Sequence, residues 1–102
     1  MRKPISLFVL LLFLSFSSAG FAGDPFLGAS VYSEHCAYCH GANGKAVIAG
    51  TPDFMRNMQL LAKPDMQIMQ TIKGGKGLMP AFGGLLKDNQ IMDVITYIRT
   101  FN

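Results

Sequence analysis

Apolar and polar positions change their rhythm several times along the chain, and each change marks a unit. Residues 5–16 read ISLFVLLLFLSF, apolar at nearly every position and polar on no face. Arg2 and Lys3 precede this run, and Ser17, Ser18, Ala19, Gly20 and Ala22 follow it. A basic start, a short apolar stretch and a small-residue end predict a secretory signal peptide over residues 1–22. The run is short for a bilayer span, which needs about 20 apolar residues, and an uncleaved anchor is the competing reading. Cleavage after Ala22 leaves a domain of 80 residues, 23–102, and cleavage after Ala19 is the near alternative. No cysteine lies near the junction, which excludes a lipid-modified N-terminus.

Beyond the leader the pattern is helical in pieces. Residues 24–36 predict a short helix, with Asp24 as cap, Pro25 in the first turn, and Phe26, Ala29, Val31 and Tyr32 on its apolar side. Gly41, Gly44, Gly50 and Pro52 then give residues 41–54 loop composition, and the apolar run Val47-Ile48 has no strand to pair with. Pro64 to Lys73 carries Ile68, Met69 and Ile72 at helical spacing and stops at Gly74-Gly75. Five glycines fall in the eleven residues 74–84. Asp88 to Phe101 shows the clearest stripe, Ile91, Val94, Ile95, Ile98 and Phe101, with Asp88 as its expected cap. No segment sustains period-two alternation. The expected class is all-α, three to four short helices joined by glycine-rich loops.

Composition matters here mainly through what it excludes. The full chain has nine Lys and Arg against six Asp and Glu, a net of +3, but without the leader the balance is seven to six. Nucleic-acid binding wants a clustered cationic face, which this balance does not supply. A domain of 80 residues buries a modest core and tends to lean on a disulfide, a metal or a cofactor. Loops this long leave a central gap that a bulky apolar ligand would fill.

The two cysteines stand three apart, in Cys36-Ala37-Tyr38-Cys39-His40. A disulfide across so small a loop constrains little and gives His40 no role. A redox dithiol wants a strand–helix setting that is missing. Zinc wants four ligands around one ion, and His35, Cys36, Cys39 and His40 are packed into six consecutive residues. Cys-x-x-Cys-His is instead the signature of covalent c-type haem attachment. The two thiols add across the haem vinyl groups, and His40 then lies under the iron and ligates it. His35 is tethered to the same side and reads as a solvent-facing helix residue. Among the methionines, Met66 and Met69 read as core, Met92 as a helix residue, and Met55 and Met58 as gap fillers. Met79 differs: it sits about 40 residues beyond the attachment motif, in the glycine-rich loop, with Pro80 directing the chain behind it. It is the candidate second axial ligand. A five-coordinate haem sensor or peroxidase, in which Met79 merely packs, is the alternative.

These three stretches, Cys36-Ala37-Tyr38-Cys39-His40-Gly41, Gly77-Leu78-Met79-Pro80-Ala81-Phe82-Gly83-Gly84 and Asp93-Val94-Ile95-Thr96-Tyr97-Ile98-Arg99, resemble the small bacterial class I c-type cytochromes. The resemblance runs over the whole mature chain in order. It implies the class I cytochrome c fold, with Gly28 and Tyr32 meeting Val94 and Tyr97 where the first and last helices cross. It also implies that the Pro52 carbonyl accepts the His40 Nδ1 proton and fixes the imidazole. Tryptophan, which many relatives set against a haem propionate, is missing here, leaving Arg56, Gln59 and Lys45 as candidates. The implied function is one-electron transfer on one His/Met-ligated haem c, not enzyme catalysis. Implied partners are redox proteins, a reductase or dehydrogenase as donor and a terminal oxidase or reductase as acceptor. A monomer working in the periplasm is expected, with a thylakoid lumen or a membrane anchor as lesser alternatives. A fixed cytochrome subunit of a dehydrogenase or oxidase is the remaining alternative. Lys45, Lys73 and Lys76 are the residues that would rim the haem edge with positive charge.

Overall fold

The structure, a computed structural model, describes residues 23–101, so the leader read at residues 1–22 lies outside the described residues. Its elements in chain order are α1 (Pro25–His35), α2 (Ala37–His40), α3 (Met58–Ala62), α4 (Asp65–Gly74) and α5 (Asp88–Ile98), and α5 runs into a 3-10 turn, Arg99–Phe101. Among the described residues there is no strand, only an isolated pairing of Lys76 with Met79. No described helix is long and apolar enough to cross a membrane.

Each helix starts and stops for a local reason. Asp24 caps α1 by accepting the Phe26 amide at 2.8 Å, with Pro25 in the first turn. Its backbone amide donates to the Asp93 carboxylate, also at 2.8 Å, which pins the start of α1 to α5. Asn57 caps α3 through the Leu60 amide at 2.9 Å. At α5 the cap is not Asp88 but Lys87, which is extended, and the Gln90 side chain closes back on the Lys87 amide at 2.8 Å. Asp88 is already helical, so its carboxylate cannot turn back onto the first amides. It pairs instead with Lys73 of α4 at 2.9 Å, still a favourable place for an anion at a helix start.

α1 and α5 cross at glycine. A Cβ on Gly28 would run into the Asp93 carbonyl oxygen and lie 3.0 Å from Tyr97 Cβ, so only glycine lets the two backbones approach this closely. Tyr32, one turn on, is buried there with its ring 5.3 Å from both Tyr97 and Phe101. The core falls into two clusters. One holds Tyr32, Val94 and Ile98; the other joins Ile68, Met69 and Ile72 of α4 to Leu86, Ile91 and Ile95. Val31 and Leu60 touch both.

Several single-residue expectations fail. Phe26 is 86% exposed and Met66 62% exposed, so neither is core. The buried face of α1 is narrower than its apolar residues suggest, because the crossing occupies only Gly28 and Tyr32. Met55 and Met58 are exposed and fill no gap between protein groups. His35 is half-buried, its ring edge-on to Phe82 at 6.1 Å, and does not face solvent freely.

Candidate functional site

The segment after α1 is built around one short helical turn. α1 ends where the Cys36 amide bonds back to the Tyr32 carbonyl at 2.8 Å. The chain re-enters helix at once, with the His40 amide on the Cys36 carbonyl at 3.0 Å. Cys36, Cys39 and His40 are thereby held on one helical turn. Gly41 then takes φ +85°, where a Cβ would strike the Lys45 carbonyl, and reverses the chain. The Tyr32 hydroxyl donates to the Gly41 carbonyl at 2.6 Å, which ties the reversal to α1 from inside the core.

The loop that follows folds back over His40. The Phe54 amide donates to the Gly44 carbonyl at 2.7 Å, and the Ala46 amide donates to the Asp53 carboxylate at 2.5 Å. These contacts bring the Pro52 carbonyl 3.3 Å from His40 Nδ1 and stack Phe54 on the imidazole, centroids 4.3 Å apart and planes 15° apart. His40 is 8% exposed. Burial holds its pKa below the usual histidine value, partly offset by the bond to Pro52, so the ring is neutral near pH 7. With Nδ1 on the carbonyl, Nε2 is the nitrogen whose lone pair can reach a metal. Sequence reasoning missed Phe54; the signal was an aromatic two residues beyond the proline.

Both cysteines are half-buried and form no disulfide. Burial, with Cys39 adding to it, pushes the Cys36 thiol up to about 11. It is a neutral thiol at pH 7.

Met79 belongs to a separate arm. Its amide donates to the Lys76 carbonyl at 2.9 Å and its carbonyl accepts from the Lys76 amide at 3.1 Å. That pair makes a small closed loop beyond Gly75, and Met79 packs half-buried on the α4–α5 cluster. Cys36 and Ala37 pack on the Tyr32 cluster. The structure thus groups Cys36, Cys39, His40 and Pro52, and sets Met79 on the other cluster. Arg56 and Gln59 line an open cleft of about 420 Å³ together with Pro52 and Met58; Lys45 is exposed and does not line it.

The residues fit a large flat apolar group. The Val47 and Ile48 amides donate hydrogen bonds to the Cys39 carbonyl at 3.0 and 3.4 Å, and both side chains are exposed. Met55, Met58, Leu61 and Leu78 are exposed as well, Leu78 by 96%. Val47 and Ile48 beside Cys39, Met55 and Met58 beside Pro52, and Leu78 next to Met79 leave apolar side chains uncovered, which a covalently held porphyrin would cover.

Comparison with known proteins points the same way. Residues 24–98 match the family model described as cytochrome C oxidase, cbb3-type, subunit III. Cytochrome c6 of Gloeothece citriformis is 37% identical over 102 residues, covering 96% of this chain and 93% of the relative. Cytochrome c6 of Pyropia yezoensis is 34% identical over 105 residues, with the same coverage of each chain. The solved structure of cytochrome c6 from the diatom Phaeodactylum tricornutum aligns with a TM-score of 0.65 at 33% identity, over 76% of this chain and 93% of that one.

Proposed function

We infer the roles of the site residues from one premise: this chain belongs to the small class I c-type cytochromes. It is an electron carrier, not an enzyme, and it holds a single covalently bound haem c. When bound, that group supplies an iron that takes up and gives back one electron. Cys36 and Cys39 carry the two thioether links. His40 ligates through Nε2, and Pro52 keeps its Nδ1 proton occupied, which orients the ring and raises its basicity. Met79 would also hold the group through its thioether, which favours the reduced form and would raise the potential. With His40 and Met79 both holding it, the group would carry electrons and not bind oxygen or peroxide. Arg56 and Gln59, on the cleft beside Pro52, are placed to meet the propionates.

The observation that carries this reading is the His40 imidazole, neutral and anchored to Pro52 on the same helical turn as two unpaired thiols. Absorption spectra of the exported protein and its Met79→Ala variant test it. The wild type is expected to be low-spin in both oxidation states, with the weak near-infrared methionine-to-iron band and the mass of one haem. The variant is expected to lose the band and bind carbon monoxide rapidly. A variant spectrum identical to wild type would move the second ligand elsewhere, and a wild type that itself bound carbon monoxide rapidly would favour the five-coordinate alternative.

Residues 1–22 are read as the cleaved leader, which delivers residues 23–102 to the periplasm, where haem attachment takes place. The carrier passes electrons between redox proteins; a membrane reductase or dehydrogenase as donor and a terminal oxidase or reductase as acceptor suit its chemistry. The name of the matching family model motivates a second reading, a fixed subunit of an oxidase. Relatives matched over 93% of their own length favour the separate carrier. Fractionation decides: release of the haem signal with the periplasm supports a shuttle, and co-purification with membranes supports the subunit.

A further inference from the structure

The attachment helix and the Met79 arm meet through a side-chain ring contact. His35 closes α1, immediately before Cys36, and its ring stands edge-on to Phe82, centroids 6.1 Å apart and planes at 66°. Phe82 is three residues beyond Met79. Its amide donates to the Ile72 carbonyl at 2.9 Å, and the next amide, of Gly83, donates to the Lys73 carbonyl at 3.2 Å. Phe82 is therefore the exit anchor of the Met79 loop, as the Gly75 amide on the Thr71 carbonyl is the entry anchor. Between the anchors the loop is held by the paired backbones of Lys76 and Met79 and by the packing of Met79 on the α4–α5 cluster. Val31, one turn before His35 on the same face of α1, packs on the cluster that also receives Met79 and Phe82.

We propose that His35 and Phe82 form a clasp that joins the attachment helix to the Met79 loop and holds Met79 in ligating position. They are positioning residues: neither touches the iron, and both act through the loop. The proposal rests on the reading of Met79 as axial ligand. The physical argument is one of linkage. In this proposal the loop opens by swinging Phe82 off the imidazole edge, so the free energy of the aromatic pair is lost only in the open state. An edge-to-face pair of this kind changes an opening equilibrium by about three- to tenfold.

An exogenous ligand that must displace Met79 reads that equilibrium directly. Imidazole is titrated into the ferric, haem-loaded mature protein and its affinity compared across His35→Ala, Phe82→Ala, the double variant and His35→Phe. Each alanine variant is expected to bind imidazole about three- to tenfold more tightly than wild type. The double variant is expected to bind no tighter than the stronger single, because both remove one contact. His35→Phe, which keeps a ring against Phe82, is expected to return to within about twofold of wild type. Should Phe82→Ala fail to accumulate, His35→Ala and His35→Phe decide alone. Unchanged affinity in His35→Ala, a double effect equal to the product of the singles, or a His35→Phe protein as loose as His35→Ala overturns the clasp. Failure of the Met79 reading looks different: Met79→Ala would then leave the near-infrared band and the imidazole affinity untouched, and the clasp would fall with it.

Discussion

Replacing Gly28 with alanine tests the helix crossing on which the whole arrangement stands. The added methyl would meet the Asp93 carbonyl oxygen and sit 3.0 Å from Tyr97 Cβ. The obstructing atom is backbone in the middle of α5, so no rotamer change relieves it and the helices must part. Overpacking of this kind costs about 1–3 kcal/mol, and the clash with backbone places Gly28 at the upper end. Alanine in place of a helical glycine returns about 0.5–1 kcal/mol. The net expected loss is about 2 kcal/mol, or roughly 8–15 °C in Tm for a domain of this size. Gly74→Ala is the control, since a Cβ there meets nothing within 4 Å. That variant is expected to gain a few tenths of a kcal/mol, up to about 1. Thermal melts of the haem-loaded mature proteins, followed by far-UV circular dichroism, read both. A Gly28→Ala protein that melts with the wild type would refute the close crossing.

Other consequences are simpler to read. Tyr32→Phe removes the buried 2.6 Å bond to the Gly41 carbonyl and is expected to cost about 1–2 kcal/mol at neutral pH. Burial raises the Tyr32 phenol above its ordinary pKa, so the folded state keeps the proton that the unfolded chain releases from about pH 10. Wild-type stability should therefore fall above pH 10, by up to about 1.4 kcal/mol at pH 11 from this group. Denaturant titrations at pH 8 and pH 11 should show the gap between wild type and Tyr32→Phe narrowing; a constant gap counts against the buried phenol. Asp24→Ala removes the α1 cap and the local charge at the helix start, and is expected to cost about 1 kcal/mol in the same assay. Steering by Lys45, Lys73 and Lys76 is expected to be weak, because Lys73 is already paired with Asp88 and the mature balance is seven basic to six acidic residues. Reduction rates measured against salt should change little, and a steep dependence would restore the three-lysine rim.

How much could be read in advance depended on what each signal reports. Periodicity located α4 and α5 and their buried residues, Ile68, Met69, Ile72, Ile91, Val94, Ile95 and Ile98, because both helices lay one continuous face on protein. It misjudged α1, where Phe26 is exposed and a glycine is buried. There the contact is an approach of two backbones, which rewards the smallest residue and leaves no hydrophobic trace. Asp88 looked like a cap by residue type, but capping is a matter of backbone angle, and Lys87 is the residue that is extended. The spacing of Cys36, Cys39 and His40 was legible because it is local, a property of one helical turn. Of the contacts that finish the site, Pro52 on His40 was implied by the family resemblance, whereas Phe54 on His40 and Phe82 on His35 join residues 14 and 47 positions apart, through loops with no period to read. The exposed methionines at 55 and 58 belong to the same lesson. Their apolar character was evident in the chain, but both side chains are exposed on an open cleft beside Pro52, so no pattern internal to the polypeptide could place them in a protein core.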